Sequence, residues 1–353
     1  VQFLLVLTCI LKAVDEHADL LRESAADVGN DQRLGGHEAP PAVISVFLGE
    51  QLEDVLDQLI STGTATHSKS GEKMNTGVST LPDFMKDATD RNRTSPFAFT
   101  GNKFEFRMVG SRDSISSCNV VLNTIAAEAF KEACDRLESA EDLELAVHDL
   151  IKEYATDHQR IVFSGNGYAP EWEKEAKRRG LPILPSMVDA IPALTTEKSI
   201  KLFEDFRVFT RTELESRAEI QYEIYAKAIN IEAKTMIDIV TKQIIPAVIK
   251  YTTVLADSIN SVKAAGITDV SVQADLLKKT SKLLKTTNSA MNKLGKLVSQ
   301  VESYPEGRER AVFFREKVVP AMEELRKPVD ELEMIVDKEM WPMPSYGDLI
   351  FEV

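Results

Sequence analysis

The chain has 353 residues, more than one ordinary hydrophobic core accommodates, so two domains are expected. Hydrophobic residues make up 43% of the chain and charged residues 28%, a balance that is typical of globular proteins and excludes a disordered chain. The net charge of −14 argues against non-specific binding to nucleic acid or to an anionic membrane, since both require basic protein surface.

The cysteines and the first residues bear on the cellular environment. Cys9, Cys118 and Cys134 lie far apart and form no CxxC pair, which favours a reducing cytoplasm over a disulfide framework. The apolar run over residues 1–11 is too short to span a bilayer and has no basic segment before it, so it predicts neither a membrane helix nor a signal peptide. We expect a buried helix in a chain whose front half has been left out.

Residues 29–41 predict a loop, because they combine adjacent glycines, adjacent prolines and an Asn-Asp pair. The loop carries Arg33, His37 and Glu38 within six residues, so it is either an active-site flap or an ordinary connector. A short β-rich run over 43–49, a helix over 51–60 and an exposed loop over 61–80 are expected after it.

Residues 95–100 and 103–109 predict the two strands of a β-hairpin. Between them, Gly101 and Asn102 suit a tight turn that requires a positive φ. Alternation along the second strand places three apolar side chains on one face, which we expect to be the core face. These side chains are Phe104, Phe106 and Met108.

The opposite face of the same strand carries Lys103, Glu105 and Arg107, and Arg91 and Arg93 precede the hairpin. From the pattern alone, this face suits solvated ion pairs and an anion site equally well. In the second case, one acid among several cations would bind an anionic substrate that arrives with a metal ion.

Beyond the hairpin, a helix is predicted over 121–137, with Asn119 as its N-cap.

The sequence pattern changes near residue 139, and the rest of the chain is predicted to be mainly helical. Helices over 141–157 and 170–179 precede a stiff proline-rich linker over 180–193. Long helical stretches are predicted over 196–258, with a kink at Pro246, and over 271–302 and 306–339. Their short joints favour antiparallel neighbours and therefore an up-and-down bundle. The predicted fold class is α+β, with domains at 1–138 and 139–353.

Residues 92–107, which read NRTSPFAFTGNKFEFR, resemble the catalytic strands of glutamine synthetase, and specifically of its large type III form. The loop before them is similar to a loop of the family that has an arginine and, a few residues later, the sequence Gly-x-Glu-Ala-Pro. The tail over 341–351 is similar to the end of type III enzymes. The resemblance therefore covers practically the whole chain. It implies that residues 1–138 form the C-terminal part of the catalytic domain, with antiparallel strands and helices, and that residues 139–353 form the type III C-terminal helical domain.

The family makes glutamine from glutamate, ammonia and ATP through γ-glutamyl phosphate, with two Mg²⁺ or Mn²⁺ ions. Phosphoryl transfer depends on positioning and charge neutralisation, which explains why arginines and carboxylates dominate such sites. The resemblance implies one role for each matched residue. Glu38 takes a proton from ammonium, Arg93 stabilises the transferring phosphoryl group, Arg33 and Arg107 bind the substrate carboxylate, Lys103 joins Arg93 near the nucleotide phosphates, and Glu105 ligates a metal ion.

The sequence departs from the family pattern at several positions. The loop is one residue shorter between Arg33 and Glu38 than the type I pattern, and Ala98 and Lys103 stand where arginines are usual. The family's other metal ligands match nothing in this chain, so we expect it to be inactive alone. The full protein is expected to be a large cytoplasmic homo-oligomer, a dodecamer by family resemblance. The alternatives are a structural helical-bundle protein and a regulatory module that kept the fold but lost catalysis.

Overall fold

The structure is a computed structural model, and it describes residues 1–36, 39–67, 73–74, 84–85 and 95–351. The described chain is mostly helical, with a three-stranded and a two-stranded sheet among those residues. It divides into two compact units, residues 1–218 and 219–353. The predicted domain boundary between residues 138 and 139 stays a prediction, because a compact unit need not coincide with an inherited domain.

The helices of the first unit are α1 Gln2–Glu16, α2 Ala18–Glu23, α3 Val28–Arg33, α4 Glu50–Thr62, α5 Ser116–Glu138, α6 Leu143–Asp157, α7 Pro170–Arg178, α8 Met187–Ala190 and α9 Glu197–Asp205, with 3₁₀ turns at Gln159–Ile161 and Ile191–Thr195. The strands are β1 Val46–Phe47, β2 Lys73–Met74, β3 Phe84–Met85, β4 Phe97–Phe99 and β5 Phe104–Phe106. Helix α10, Arg211–Ile239, contains the division between the units.

The elements after α10 are a π-helical turn Val240–Ile244, α11 Ile245–Ala264, α12 Ser271–Gln300, a 3₁₀ turn Val301–Ser303, α13 Arg308–Phe313, a second π-helical turn Phe314–Val318, α14 Val319–Glu333 and α15 Tyr346–Phe351.

Helix α1 lies in the core of the first unit, where it packs against α5 and α6. Leu7, Leu11 and Val14 are almost fully buried, and their spacing of four and three residues places them on one stripe of the helix. The predicted buried helix is therefore confirmed for this part of the run. Its first turn differs, since Phe3 and Val6 are about half exposed (49% and 48%).

The three-stranded sheet has the order β1-β4-β5. Strands β4 and β5 form the predicted antiparallel hairpin, with Ala98 opposite Glu105 and with Gly101 in the turn at φ 96°. Strand β1 pairs with β4 in parallel, so the prediction of antiparallel strands alone is wrong for this pair. A parallel neighbour requires a crossover connection, and helix α4 lies in that connection.

Two further predictions are corrected in the first unit. Asn119 does not cap α5, because the helix begins at Ser116, whose N–H donates to the Ser114 hydroxyl (3.2 Å). The predicted linker over 180–193 is instead part of the core. Its Ser186 and Asp189 form a capping box at the start of α8, and Ile191 is fully buried.

In the second unit, helix α12 packs against both α11 and α14. Its buried residues Thr280, Thr287 and Leu294 recur every seven residues, the spacing of a coiled-coil-like seam. A π-helical turn ends two residues before Pro246, where a kink is predicted, and the same arrangement precedes Pro320; the kink itself stays a prediction. The up-and-down order of the bundle stays a prediction.

Among the described residues, one helical run is long and apolar enough to cross a membrane by length and composition. It is Arg211–Ala264, with a mean hydropathy of 1.2 in its most apolar window, and 28% of that window is buried. The core helices of soluble proteins can have the same length and composition, so the absence of membrane binding stays a prediction.

Candidate active site

Three of the predicted site residues line one cavity of ≈ 470 Å³ in the first unit: Arg33, Glu105 and Arg107. Arg33 comes from the last position of α3, Glu105 from the middle of β5, and Arg107 from the residue after that strand. The end of the predicted loop and the hairpin supply most of the remaining wall. It includes Ala39, Pro40, Pro41, Ser95, Pro96, Met108 and Val109.

The other predicted site residues are placed differently. Lys103 lies just before β5 and its Nζ is 3.2 Å from Glu105 Oε1, but it is not among the residues that line the cavity. Glu38 and Arg93 lie outside the described residues, as do His37 and Arg91. Their roles stay predictions.

Glu105 is the centre of a small charge cluster. Its Oε2 accepts hydrogen bonds from Arg107 Nε (3.2 Å) and Nη2 (3.1 Å), and its Oε1 faces Lys103. The hydrogen bond from Arg107, followed by that from Lys103, lowers the pKa of Glu105 below its ordinary value. The predicted polar face of the strand is thus observed, and at neutral pH it presents an ionised carboxylate.

The hydrogen bonds between the strands and the ion pair with Glu105 together fix Arg107 in place. Its backbone N–H donates to the carbonyl of Pro96 (2.8 Å), which extends the β4–β5 pairing past the end of β5. Its side chain is only 16% exposed, and the Glu105 carboxylate orients the guanidinium along the strand. A guanidinium held at the wall of a cavity is suited to binding a carboxylate or phosphate through two parallel hydrogen bonds.

Asn30 contributes to the site although the sequence analysis did not single it out. It lies in α3 one turn before Arg33, is 2% exposed, and its Oδ1 accepts a hydrogen bond from Arg33 Nη1 (3.1 Å). The signal that could have found it is the spacing of three residues, which places the two side chains on the same face of a helix.

Metal binding at the cavity fits only in part. Glu105 is the single carboxylate among the described residues that line the cavity, and both of its oxygens face cationic side chains. Mg²⁺ requires about six ligands in octahedral geometry, so water, substrate phosphates or residues outside the described part of the chain would have to supply the others.

A second group with metal-ligand geometry lies away from this cavity. Its members are Glu16, His17 and Glu128, whose candidate ligand atoms lie within 4.8 Å of one another. His17 Nε2 is 2.6 Å from Glu128 Oε2, and Lys12 Nζ is 2.7 Å from Glu16 Oε1. Both carboxylates already have partners, Glu128 in His17 and Glu16 in Lys12, so we interpret the cluster as a packing network between α1 and α5.

Comparison with known proteins gives two kinds of match. A family model described as the glutamine synthetase C-terminal domain matches residues 146–263. The type-3 glutamine synthetase of Dictyostelium discoideum is 40% identical over 358 residues, which cover 99% of this chain and 49% of that protein. The glutamine synthetase of Butyrivibrio fibrisolvens is 36% identical, and the alignment covers 100% of this chain and 50% of that protein. The glutamine synthetase of Bacteroides fragilis (strain YCH46) is 34% identical, and the alignment covers 99% of this chain and 49% of that protein.

The chain belongs to the glutamine synthetase family. The resemblance in the hairpin and loop is therefore confirmed at the level of the family, and the chain spans about half the length of the curated glutamine synthetases it matches. The family model covers α6 to most of α11 and does not reach the residues that line the cavity, so the roles of those residues stay predictions.

Proposed function

We propose that this chain supplies part of the active site of an ATP-dependent glutamine synthetase, which joins ammonia to glutamate through γ-glutamyl phosphate. The observation that carries the proposal is the convergence of Arg33, Glu105 and Arg107 on one cavity from two distant segments of the chain. Two arginines beside a carboxylate form a site for an anion that bears carboxylate groups, as glutamate does.

In the proposed reaction, a γ-carboxylate oxygen of glutamate attacks the γ-phosphorus of ATP, and ADP leaves. Ammonia then attacks the carbonyl carbon of the acyl phosphate, the bond between that carbon and the phosphate oxygen breaks, and inorganic phosphate leaves. Arg33 and Arg107 would hold the substrate carboxylate throughout, so that the reacting atoms meet in a fixed geometry.

The remaining predicted residues would neutralise the charge of the phosphate groups and transfer the proton of ammonium. Arg93 would stabilise the transferring phosphoryl group, with Lys103 near the nucleotide phosphates, and Glu38 would take the proton released from ammonium. Glu105 would be one ligand of a Mg²⁺ or Mn²⁺ ion. Bound metal ions in such sites neutralise the charge that develops on phosphate oxygens. Since Glu38 and Arg93 lie outside the described residues, their parts rest on the family resemblance alone.

The proposal extends to the whole protein. We infer that the curated relatives' other half supplies the missing metal and nucleotide ligands, so that the present chain is inactive alone. The helices of the second unit would form the up-and-down bundle of the type III C-terminal domain. The full protein would be a cytoplasmic homo-oligomer, a dodecamer by family resemblance, that serves glutamine biosynthesis in nitrogen metabolism.

One observation favours a second candidate, a regulatory module that keeps the fold without catalysis. Ala98 stands where the family has a further arginine, and it is fully buried in β4 opposite Glu105. Its position in the core leaves no room for a cationic side chain without repacking, so another residue must provide that charge if the protein is an enzyme.

The test is glutamine formation by the full-length protein, measured with and without ATP and ammonia. We expect the Arg107→Ala variant to raise the KM for glutamate by about tenfold or more, because hydrogen bonds to charged groups are worth about 1.5–3 kcal/mol. The matched control is Arg326→Ala, since the Arg326 side chain is 70% exposed on α14.

Three outcomes would decide against the proposal as stated. A full-length protein that binds ATP but forms no glutamine would favour the regulatory module. A protein that binds neither ATP nor glutamate would favour the structural bundle. An unchanged KM in the Arg107→Ala variant would remove this cavity from the substrate site.

A further inference from the structure

Helix α3 has only six residues, too few to be stable by itself, so contacts with its surroundings must hold it in place. Two adjacent side chains provide such contacts. Asn30 Nδ2 donates to the carbonyl of Ala25 (2.8 Å) and to that of Met108 (2.9 Å). Asp31 Oδ1 accepts a hydrogen bond from the backbone N–H of Met187 (2.7 Å). The helix is thus joined to the turn directly before it and to two distant segments of the first unit.

The same Asn30 amide also contacts Arg33. Its Oδ1 accepts from Arg33 Nη1, and this nitrogen in turn donates to the Met108 carbonyl (3.1 Å). The amide, the guanidinium and the carbonyl form a closed triangle, and Met108 follows Arg107 directly in the chain. The triangle therefore connects the two arginines of the cavity through hydrogen bonds and one peptide unit.

We propose that Asn30 is a positioning residue for substrate binding: it holds the Arg33 guanidinium against the Met108 carbonyl and so fixes the spacing between Arg33 and Arg107. The inference rests on the proposed function, since it assigns a purpose to the spacing of two substrate-binding arginines. A buried primary amide suits this task, because it donates to two carbonyls and accepts from a cation at the same time.

Activity assays on the full-length protein test the role in binding. We expect Asn30→Ala to raise the KM for glutamate by about tenfold, because a small misplacement of a binding group costs about one to two powers of ten. The KM for ATP should stay unchanged and kcat should change much less than the KM for glutamate. Asn30→Asp should behave in the same way, since it keeps the acceptor for Arg33 but loses both amide donors.

The double variant decides whether Asn30 acts through Arg33. If it does, Asn30→Ala combined with Arg33→Ala raises the KM no further than Arg33→Ala alone. Multiplied effects would overturn the proposal, as would an Asn30 variant whose KM for glutamate is normal. The control is Ser199→Ala, which loses a buried hydrogen bond to the Ala193 carbonyl (2.7 Å) and should leave the KM unchanged.

A thermal-unfolding cycle separates this proposal from the proposed function, because it needs no activity. The single variants Asn30→Ala and Arg33→Ala should each lower the Tm, and the double variant should lower it by less than the sum of the two. Asn30→Ser serves in the cycle if Asn30→Ala does not fold. Additive Tm shifts would overturn the coupling even in an active enzyme, whereas an inactive wild type with a coupled cycle would overturn the proposed function alone.

Discussion

Glu105 pairs with cations through both of its carboxylate oxygens, and this shapes how the cavity can bind charged ligands. An anion that binds Arg107 competes for the donors that Glu105 now accepts from. Once displaced, the Glu105 oxygen is available to a cation. In the proposed enzyme, binding of the substrate carboxylate and binding of the metal ion would therefore favour one another, and linkage requires the effect to be equal in both directions.

The same pairing has a pH dependence whose sign depends on the direction of the pKa shift. Arg107, and then Lys103, lower the pKa of Glu105 in the folded protein. A carboxyl group with a lowered pKa contributes its stability above its unfolded pKa and loses it as the pH falls through the folded value. The cluster is therefore intact at neutral pH and is lost only in acid. Because Glu105 is exposed to solvent, we expect this contribution to be small.

The cysteines differ in environment, and we expect their reactivity to differ accordingly. Cys9 and Cys118 are buried, and burial raises the pKa of Cys9 to about 11 and that of Cys118 above its ordinary value, whereas Cys134 is exposed. Since the thiolate is the reactive form, we expect one fast equivalent of thiol in the native chain at pH 8, measured with a chromogenic disulfide. All three should react after denaturation.

The Cys134→Ser variant is the control for that experiment, because it should abolish the fast phase and leave the slow one. A fast equivalent that persists in this variant would contradict the burial of Cys9 or Cys118.

The sequence predicted the placement of residues correctly where that placement depends on neighbours in the chain. Strand alternation placed Lys103, Glu105 and Arg107 on one face, and the structure shows that face. The spacing of three residues could have linked Asn30 to Arg33, but the contact of Asn30 with Met108 was beyond such reasoning, because the two residues are 78 positions apart in the chain. Only the folded structure brings that carbonyl to α3, so no periodicity in the sequence marks the contact.

Buried threonines are the clearest polar feature at the scale of elements. Thr280 and Thr287 lie on the seam of α12 with no exposed surface, and neither hydroxyl has a hydrogen-bond partner among the described residues. We expect Thr280→Val and Thr287→Val each to stabilise the helix by about 1 kcal/mol, because valine has nearly the same shape and leaves no buried hydroxyl unsatisfied. Hydrogen exchange of peptides from α12 in increasing urea would measure this.

Thr286→Val is the matched control on the same helix, since Thr286 is exposed and its hydroxyl donates to the Lys282 carbonyl (3.1 Å). Its effect should stay within about 0.5 kcal/mol, as is usual for surface substitutions. A loss of protection in the two buried variants would mean that their hydroxyls have partners in solution.

Elements with strong periodicity could be predicted, and elements that depend on distant pairing could not. The periodicity predicts helix α12 over 271–302, and the helix runs over Ser271–Gln300. The parallel pairing of β1 with β4 was missed, because the two strands are about fifty residues apart and nothing local specifies their direction. The prolines of residues 180–193 predict a linker, although the buried apolar residues of this segment place it in the core.

At the scale of the whole molecule, a strongly acidic chain carries a local cationic cavity. The net charge of −14 repels anions at long range, so an anionic substrate must be held by short, oriented hydrogen bonds within the cavity. Among the described residues lining the cavity, two arginines can serve that purpose, and one carboxylate lies beside them. In the proposed enzyme, such a site would need further groups from outside the described residues.

We therefore expect the purified 353-residue chain to form no glutamine with ATP, ammonia and Mg²⁺, whereas the full-length protein does so under the same conditions. Far-ultraviolet circular dichroism of the chain should still show a mainly helical protein, which rules out misfolding as the cause. Glutamine formation by the folded chain alone at a rate near that of the full-length protein would show that its own residues complete the site.

The π-helical turn at Val240–Ile244 has a consequence for the way in which the long helical run meets its neighbours. A π turn holds about one residue more than an α-helical turn, so the helix completes the same rotation around its axis with one additional residue. The residues of α11 that face α12 are therefore offset by about one sequence position from those that an uninterrupted α-helix would present. A seven-residue pattern traced from residue 211 loses its phase in the turn before Pro246, and deleting one residue there would restore that phase while the same face of α11 still packs on α12.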